Sequence, residues 1–331
     1  MPSLRKALAG IGEPKEAFLA VRGSFGGRTP ASLRGAIAGM TNPHVQGWHE
    51  VGVALASENT DESEEAQGAT TDGTRWYVGS NGTKTVVVFD DDANRLATFE
   101  PELGIVRSMW ADAGKPAVLG APDTPIFGTL PSRWSPHFGA PSYHGGWLYV
   151  PVQGPHGVWK IPVEGGAQEW HKADAPAGEK ALPDDDLFPW CAVHPVTGVL
   201  YTCNYGRPHR LRAYDRLSLV RAKQHDVRLG TAPIDLDRVQ GGVFTSRGRL
   251  ILVRSDFNAV FCFSSLNGFC FGAKKLGDFG SDGSEVESVT IRGWSFDGVK
   301  ANVHILELDN DIVSEDDFYL HSFQVPDPAR L

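Results

Sequence analysis

Two sets of side chains that could do chemistry recur at matching places along this sequence. Members of the first set each precede a short run of small residues: Gln67, Phe138, Trp190, Gln240 and Glu287. Members of the second set each follow an apolar run: Asn81, Gln153, Asn204 and Asp256. Amides and carboxylates orient polar ligands, and aromatic rings stack on flat molecules. Apart from Glu287, Asn204 and Asp256, these residues are the predicted binding residues for a small-molecule or carbohydrate ligand.

Some members of these sets also suit a divalent cation. Carboxylate and amide oxygens are the ligands that Ca²⁺ and Mg²⁺ prefer. Glu287, Asp256 and Asn204 are therefore the predicted metal ligands, and Ca²⁺ is the expected cofactor. The alternative is a polar channel that holds ordered water and no ion.

Proton transfer is assigned to residues beside these sets. A His with a Tyr or an Arg beside it, or an acidic neighbour, can act as a general acid or base around neutral pH. His137, Tyr143 and Glu285 are therefore the predicted catalytic residues. His209, which has Tyr205 and Arg residues close in sequence, is a further predicted ligand-binding residue. For each His, the alternative is an exposed loop position without a role.

The elements that must position these residues are short strands in a repeated pattern. Small residues mark the same place in each repeat, at Ala69, Ala140, Ala192, Gly242 and Val289, with spacings of 71, 52, 50 and 47 residues. Each repeat continues through a turn and at least one further strand. Periods of about 40–50 residues with several strands are typical of propeller blades. The pattern predicts an all-β fold, a β-propeller whose inner strands converge on a narrow tunnel.

The repeat count favours five blades over six. The long first spacing contains Leu103–Pro136, which is either an insertion or a degenerate sixth blade. The last repeat is short of one strand, and His49–Ser57 is predicted to supply it, so that the N- and C-terminal strands pair and close the ring. Residues 1–47 are predicted to form a short helical or irregular arm, and residues 48–331 the propeller.

Composition narrows the classes of partner. The net charge of −9 argues against a nucleic-acid partner. No run of 18 apolar residues is present, so no membrane partner is expected. The N-terminus lacks the unbroken apolar stretch of a secretory signal, so a cytoplasmic location is expected, with a secreted form left open. The sequence does not indicate an oligomeric state.

The cysteines allow two interpretations. Cys191 and Cys203 lie symmetrically about one predicted turn, and Cys262 and Cys270 about another. Opposed positions on a hairpin bring Cβ atoms close together, which would allow two cross-strand disulfides. Without an export signal, buried reduced thiols are the favoured interpretation.

Several motifs resemble a known group of propellers. HPVTGVLYTCN followed by RLRAYD, VQGGVFTSRGRLILVRSD and EVESVTI are similar to segments of the regucalcin/gluconolactonase, NHL-repeat and strictosidine-synthase-like proteins. In that group, a Glu at the start of an inner strand and Asn and Asp after later strands hold a divalent cation that activates substrate or water. The resemblance assigns these roles to Glu287, Asn204 and Asp256. Ser288 and Gln67 stand where the group carries Gly and Glu.

These observations lead to one function and two alternatives. The chain is expected to be a hydrolase of the lactonase kind, dependent on a divalent cation, that acts on a small polar or carbohydrate-like substrate at the tunnel mouth. The first alternative is a non-catalytic binding propeller, either a lectin or an interaction scaffold. The second is a metal-free lyase or cyclase that uses His, Tyr and Arg side chains.

Overall fold

The computed structural model describes ten ranges of the chain. They are 48–57, 65–114, 136–174, 188–206, 208–229, 236–255, 258–276, 284–296, 299–309 and 316–325. The predicted N-terminal arm therefore lies outside the described residues. Within those ranges, no helix combines the length and apolar character that a membrane span needs.

The described strands form five antiparallel sheets. Blade 1 contains β2 (Ala66–Thr71), β3 (Trp76–Ser80), β4 (Thr85–Phe89) and β5 (Arg95–Phe99). Blade 2 contains β6 (His137–Phe138), β7 (Ser142–His144), β8 (Trp147–Gln153), β9 (Gly157–Pro162) and β10 (Glu169–Lys172). Blade 3 contains β11 (Ala192–Val193), β12 (Val199–Thr202), β13 (Arg210–Asp215) and β14 (Val227–Arg228).

The remaining strands complete the ring. Blade 4 contains β15 (Val239–Phe244), β16 (Arg249–Arg254), β17 (Ala259–Ser264) and β18 (Cys270–Lys275). Blade 5 contains β19 (Ser284–Phe296), β20 (Val299–Asp309), β21 (Asp317–Gln324) and, from the start of the chain, β1 (His49–Ser57). A 3₁₀ turn spans Lys223–His225. One inner strand of each blade contacts the inner strands of its two neighbours, so these strands line the centre; they are β2, β7, β11, β15 and β19. The predicted five-bladed propeller is confirmed.

Ring closure also follows the prediction. β1 pairs antiparallel with β21, from His49 opposite Gln324 to Ser57 opposite Phe318. An ion-paired cluster spans this closure, because His321 on β21 lies between Glu50 on β1 (2.6 Å) and Glu307 on β20 (2.8 Å). We call these three residues the closure cluster. It joins the N-terminal strand to two C-terminal strands of the same sheet.

The segment from Leu103 begins as a helix. α1 (Leu103–Asp112) buries Ile105, Val106, Met109 and Trp110. It contacts β10, and the indole of Trp170 donates a hydrogen bond of 2.8 Å to Asp112. The start of this segment is therefore an insertion packed on blade 2, and residues 115–135 lie outside the described ranges.

The centre of the ring is packed closely enough to require glycine. A Cβ atom at Gly241 would lie 2.6 Å from the Cα of Ser288, and one at Gly68 would lie 2.9 Å from the Cβ of Ser288. The amide of Ala69 donates a 2.8 Å hydrogen bond to Ser288 Oγ. The inner strands of blades 1, 4 and 5 thus meet around Ser288.

This packing leads to a stability prediction. Gly241→Ala is expected to lower the free energy of unfolding by about 1–3 kcal/mol, because the new methyl group meets backbone atoms that have little room to shift. Urea denaturation measures the change. Gly104→Ala is the matched control, because a Cβ at this α1 position meets nothing within 4 Å. Equal stability of Gly241→Ala and the wild type would contradict the close packing at Gly241.

Large side chains fill the spaces between blades. Trp190 and Phe138 are 0% exposed. Trp190 donates a 3.2 Å hydrogen bond to Cys203 Sγ, and Phe138 packs against Trp159 with ring centroids 5.7 Å apart. All four cysteines are buried and free in the structure.

Candidate functional site

Three residues of the first predicted set occupy the same special place in their blades. The strand register shifts between Ala66 and Gly68, between Val239 and Gly241, and between Val286 and Ser288. Gln67, Gln240 and Glu287 are therefore the extra residues of three β-bulges. A bulge re-aims the side chain of its extra residue and recurs beside active sites.

The close packing of the inner strands brings these bulges together. Gly68, Gly241 and Ser288 each directly follow a bulge residue, and they are the residues that meet at the centre. In keeping with this convergence, the side-chain amide of Gln240 donates a 3.4 Å hydrogen bond to Glu287 Oε1. We call the group formed by Gln67, Gln240 and Glu287 the bulge triad.

Glu287 is the most unusual member of the bulge triad. It is 1% exposed, and its Oε2 atom is buried without a hydrogen-bond donor. Burial raises the pKa of the Glu287 carboxyl well above its usual range, and the negative charges of Glu285 and Glu65 add to the effect. The protonated, uncharged form of Glu287 is therefore favoured, as expected where a carboxyl group is buried beside like charges.

A hydrogen-bond network lies on the blade 1 side of the bulge triad. Asn81 Oδ1 accepts hydrogen bonds from Lys84 Nζ (2.6 Å) and from the backbone amide of Phe138 (2.9 Å). Asn81 Nδ2 donates to Glu65 Oε2 and to His137 Nδ1, the latter over 3.1 Å. His137 Nε2 lies 2.8 Å from Gln67 Oε1. We call this chain of contacts the Asn81 network.

The Asn81 network leaves His137 uncharged. Burial lowers the pKa of His137 to about 4, and the positive charge of Lys84 lowers it further against the opposing charge of Glu65. Both ring nitrogens already have partners. His137, a predicted catalytic residue, therefore lies at the site but has no nitrogen free to exchange a proton with a ligand.

The backbone at the start of the inner strands is strained. Glu65, Phe188 and Arg238 occupy equivalent places in blades 1, 3 and 4, and their φ angles are +48°, +65° and +49°. Left-handed conformations at residues other than Gly, Asn and Asp are uncommon, and they cluster at functional sites. The backbone carbonyl of Glu65 accepts a 2.8 Å hydrogen bond from the backbone N–H of Asn81. The backbone carbonyl of Arg238 accepts one of 3.1 Å from the backbone N–H of Ser255.

Tyr205 adds a phenol near Glu285 and Glu287. Its carbonyl accepts a 3.0 Å hydrogen bond from Val239 at the start of β15. Burial raises the pKa of the phenol, and a hydrogen bond with Ser255 opposes this effect. The nearby charges of Glu285 and Glu287 raise the pKa further. Sequence reasoning named Tyr205 only as a neighbour of His209.

The structure separates several other predicted residues from this group. Tyr143 is in β7 and pairs with Leu148, next to the turn between β7 and β8. His137 is in β6 and pairs with Gln153, at the far end of β8. Tyr143 stacks on Tyr77 with ring centroids 6.3 Å apart. The proposed pairing of His137 with Tyr143 is therefore not found.

The remaining predicted residues lie in varied surroundings. The fully buried rings of Trp190 and Phe138 offer no surface to a ligand. His209 is exposed, and its carbonyl accepts a 2.8 Å hydrogen bond from Leu229. Ala66 and His137 are equivalent positions in blades 1 and 2. Gln153 pairs with His137, whereas Asn81 comes one residue after the partner of Ala66. The predicted equivalence of Asn81 and Gln153 is therefore shifted by one residue.

The predicted cation ligands do not form a complete site in the described residues. Asn204 is buried, and Asp256 lies outside the described ranges. Ca²⁺ needs roughly six to eight oxygen ligands, whereas Glu287 meets the nitrogen of the Gln240 amide at one oxygen. Across the described ranges, no three His, Cys, Asp or Glu side chains are grouped so that they could hold a metal ion. Because Asp256 lies outside the described ranges, the Ca²⁺ site stays a prediction.

Comparison with known proteins supports the fold. No protein family and no curated protein matches the sequence. The chain is similar in structure to the glutaminyl cyclase of Myxococcus xanthus, with a TM-score of 0.50, 9% identity, and coverage of 82% of this chain and 98% of that one. It is also similar to a luciferin-regenerating enzyme (TM-score 0.47, 10% identity, 84% and 94% coverage). The virginiamycin B lyase of Staphylococcus aureus is a third neighbour (TM-score 0.39, 10% identity, 81% and 87% coverage). At such low identity the first likeness shows a shared propeller fold. The more specific resemblance to regucalcin and its relatives stays a prediction.

Proposed function

We propose that the chain is an enzyme whose active site is the bulge triad with Glu285, and that it hydrolyses a small polar ester or lactone by acid–base catalysis. The observation that carries this proposal is the buried Glu287 carboxyl, which has one oxygen without a donor and a second carboxyl group beside it. A buried polar group without a partner costs stability, and such groups persist where function requires them. Groups with perturbed pKa values are likewise concentrated at catalytic sites, because catalysis needs pKa values that are matched to the reaction.

The carboxyl pair can complete one hydrolytic cycle without other groups. Glu285, as the carboxylate, takes a proton from water while the water oxygen forms a bond to the substrate carbonyl carbon. Glu287 gives its proton to the departing ester oxygen as the carbon–oxygen bond breaks. The products are the carboxylic acid and the alcohol, which is one hydroxy acid when the substrate is a lactone. The proton that Glu285 has taken then returns to Glu287, which restores the starting state.

The surroundings suit this division of roles. Glu287 is buried, whereas Glu285 is only partly buried and can meet water. Gln240 donates to Glu287 Oε1 and so leaves Oε2 as the atom that carries the proton. Burial raises the pKa of Glu287, which suits that carboxyl group to the role of the acid.

A panel of lactones and esters, assayed by release of acid at constant pH, tests the proposal. We expect turnover that declines as the pH rises through the raised pKa of Glu287, because the general acid must be protonated. We expect the same rate with and without EDTA. Turnover that EDTA abolishes and Ca²⁺ restores would overturn the metal-free mechanism in favour of the predicted cation. Absence of turnover across the panel, with saturable binding of a sugar, would instead indicate a binding propeller.

A further inference from the structure

We propose that Gln67 is the donor that binds and polarises the substrate carbonyl, and that His137 is the positioning residue that turns the Gln67 amide toward it. The substrate class that follows is a compound with an acceptor oxygen, a carbonyl or ester, at the bulge triad. This inference rests on the proposed function for its catalytic part. Its structural part stands on the Asn81 network alone.

The direction of every hydrogen bond in the Asn81 network follows from one cation. Lys84 Nζ and the Phe138 backbone amide can only donate, so the Asn81 atom between them must be the oxygen. Asn81 Nδ2 then faces His137, so Nδ1 of the ring must accept and carries no proton. The proton of neutral His137 is therefore on Nε2, which donates to Gln67 Oε1.

The opposite arrangement would place like groups together. Reversing the Asn81 amide would aim its N–H groups at the Lys84 ammonium and the Phe138 amide, and its oxygen at the Glu65 carboxylate. Reversing the Gln67 amide would require an acceptor at Nε2 of His137 and a proton at Nδ1, where Asn81 Nδ2 already donates. The network therefore has one consistent set of directions.

In this arrangement, the N–H groups of the Gln67 side-chain amide are available to a ligand. Its oxygen is taken by His137, and its nitrogen makes no hydrogen bond to another residue in the described part of the chain. Gln67 is buried at a bulge on the inner strand that contacts the strand of Glu287. These N–H groups can donate to the carbonyl oxygen of a bound substrate and stabilise negative charge that develops on it.

The tautomer of His137 is the direct test, and it needs no substrate. Protein with ¹⁵N-labelled His, titrated by NMR, should show a neutral ring protonated at Nε2, with a titration midpoint of about 4. The charged groups that face the ring are Lys84 and Glu65. Asn81→Asp replaces the donor to Nδ1 by an acceptor, so the midpoint should rise by about 1–3 pH units. Asn94→Asp, a charge change in an exposed turn, should leave it unchanged. A neutral ring protonated at Nδ1 in the wild type would overturn the assignment.

The catalytic part has a separate readout. Gln67→Met keeps the length of the side chain and removes the donor, so kcat should fall about 10²–10³-fold with little change in KM. Gln224→Met, at an exposed position, is the matched control. If Gln67→Met keeps full kcat in an enzyme that Glu287→Gln inactivates, the role of Gln67 is overturned and the proposed function stands. If no ester is hydrolysed by the wild type, the proposed function fails, and the NMR result still decides the orientation of Gln67.

Discussion

Glu287→Gln is expected to lower kcat by about 10²–10⁴-fold, the usual contribution of a positioned general acid. The amide keeps the shape of the protonated carboxyl group and can still donate to Glu285, so the site should remain assembled. It has no proton to give to a leaving oxygen. Steady-state kinetics on the best substrate of the ester and lactone panel measures the effect.

The same substitution is expected to stabilise the fold. When Glu287 ionises, its charge is buried beside Glu285. Because the pKa of Glu287 is raised in the folded state, the folded protein loses stability as the pH rises through that pKa. Gln removes this ionisation, so the free energy of unfolding of the variant should exceed that of the wild type more and more as the pH rises. Glu102→Gln, at an exposed position before α1, controls for loss of one charge. A variant that keeps full kcat would show that Glu287 is not the acid.

The closure cluster is expected to make stability depend strongly on alkaline pH. Burial alone would lower the pKa of His321, but hydrogen bonds to Glu307 and Glu50 outweigh it and raise the pKa to about 9. The unfolded value is about 6.5. Because the folded pKa is the higher one, the stabilisation is complete below pH 6.5 and is lost as the pH rises toward 9. The shift corresponds to about 3 kcal/mol.

Urea denaturation of the wild type at pH 6 and at pH 9.5 measures this loss. His321→Gln should be less stable than the wild type at pH 6, because buried Glu307 loses its cation. It should also lose most of the dependence on pH that the wild type shows in this window. His225→Gln, an exposed position, should keep that dependence. If His321→Gln and the wild type show the same change between the two pH values, the closure cluster does not carry it.

The fold could be predicted because its signals are local and repeated. Small residues recur at Ala69, Ala140, Ala192, Gly242 and Val289, and turns follow them, since every blade meets the same crowding at the centre. The closing strand His49–Ser57 could be found because the last repeat was short of a strand. The helix Leu103–Asp112 was missed because the segment carries no blade pattern and its partner, β10, is distant in sequence.

The site could be predicted only in part. Gln67, Gln240 and Glu287 were placed together because equivalent positions of a propeller face the same centre. The sequence does not show that each one is a bulge, because a bulge depends on the register with the next strand. Trp190 and Phe138 share the alignment but not this geometry, and their rings pack between blades instead.

The Asn81 network lay beyond sequence reasoning for a related reason. Lys84 is three residues from Asn81, but its role depends on a left-handed backbone, with φ of +60°, and on the neighbouring blade's His137. The neutrality of His137 likewise comes from burial and from Lys84, which no spacing of residues shows.

The ionisation of Glu287 tests the central claim most directly. In protein with ¹³C-labelled Glu side-chain carboxyl groups, one resonance should vanish in Glu287→Gln, which assigns it to Glu287. We predict that this resonance titrates well above the pH of about 4.5 that is usual for a Glu carboxyl group. A resonance that titrates at or below that pH would show a carboxylate that is ionised throughout the neutral range, and would contradict the assignment of Glu287 as the acid.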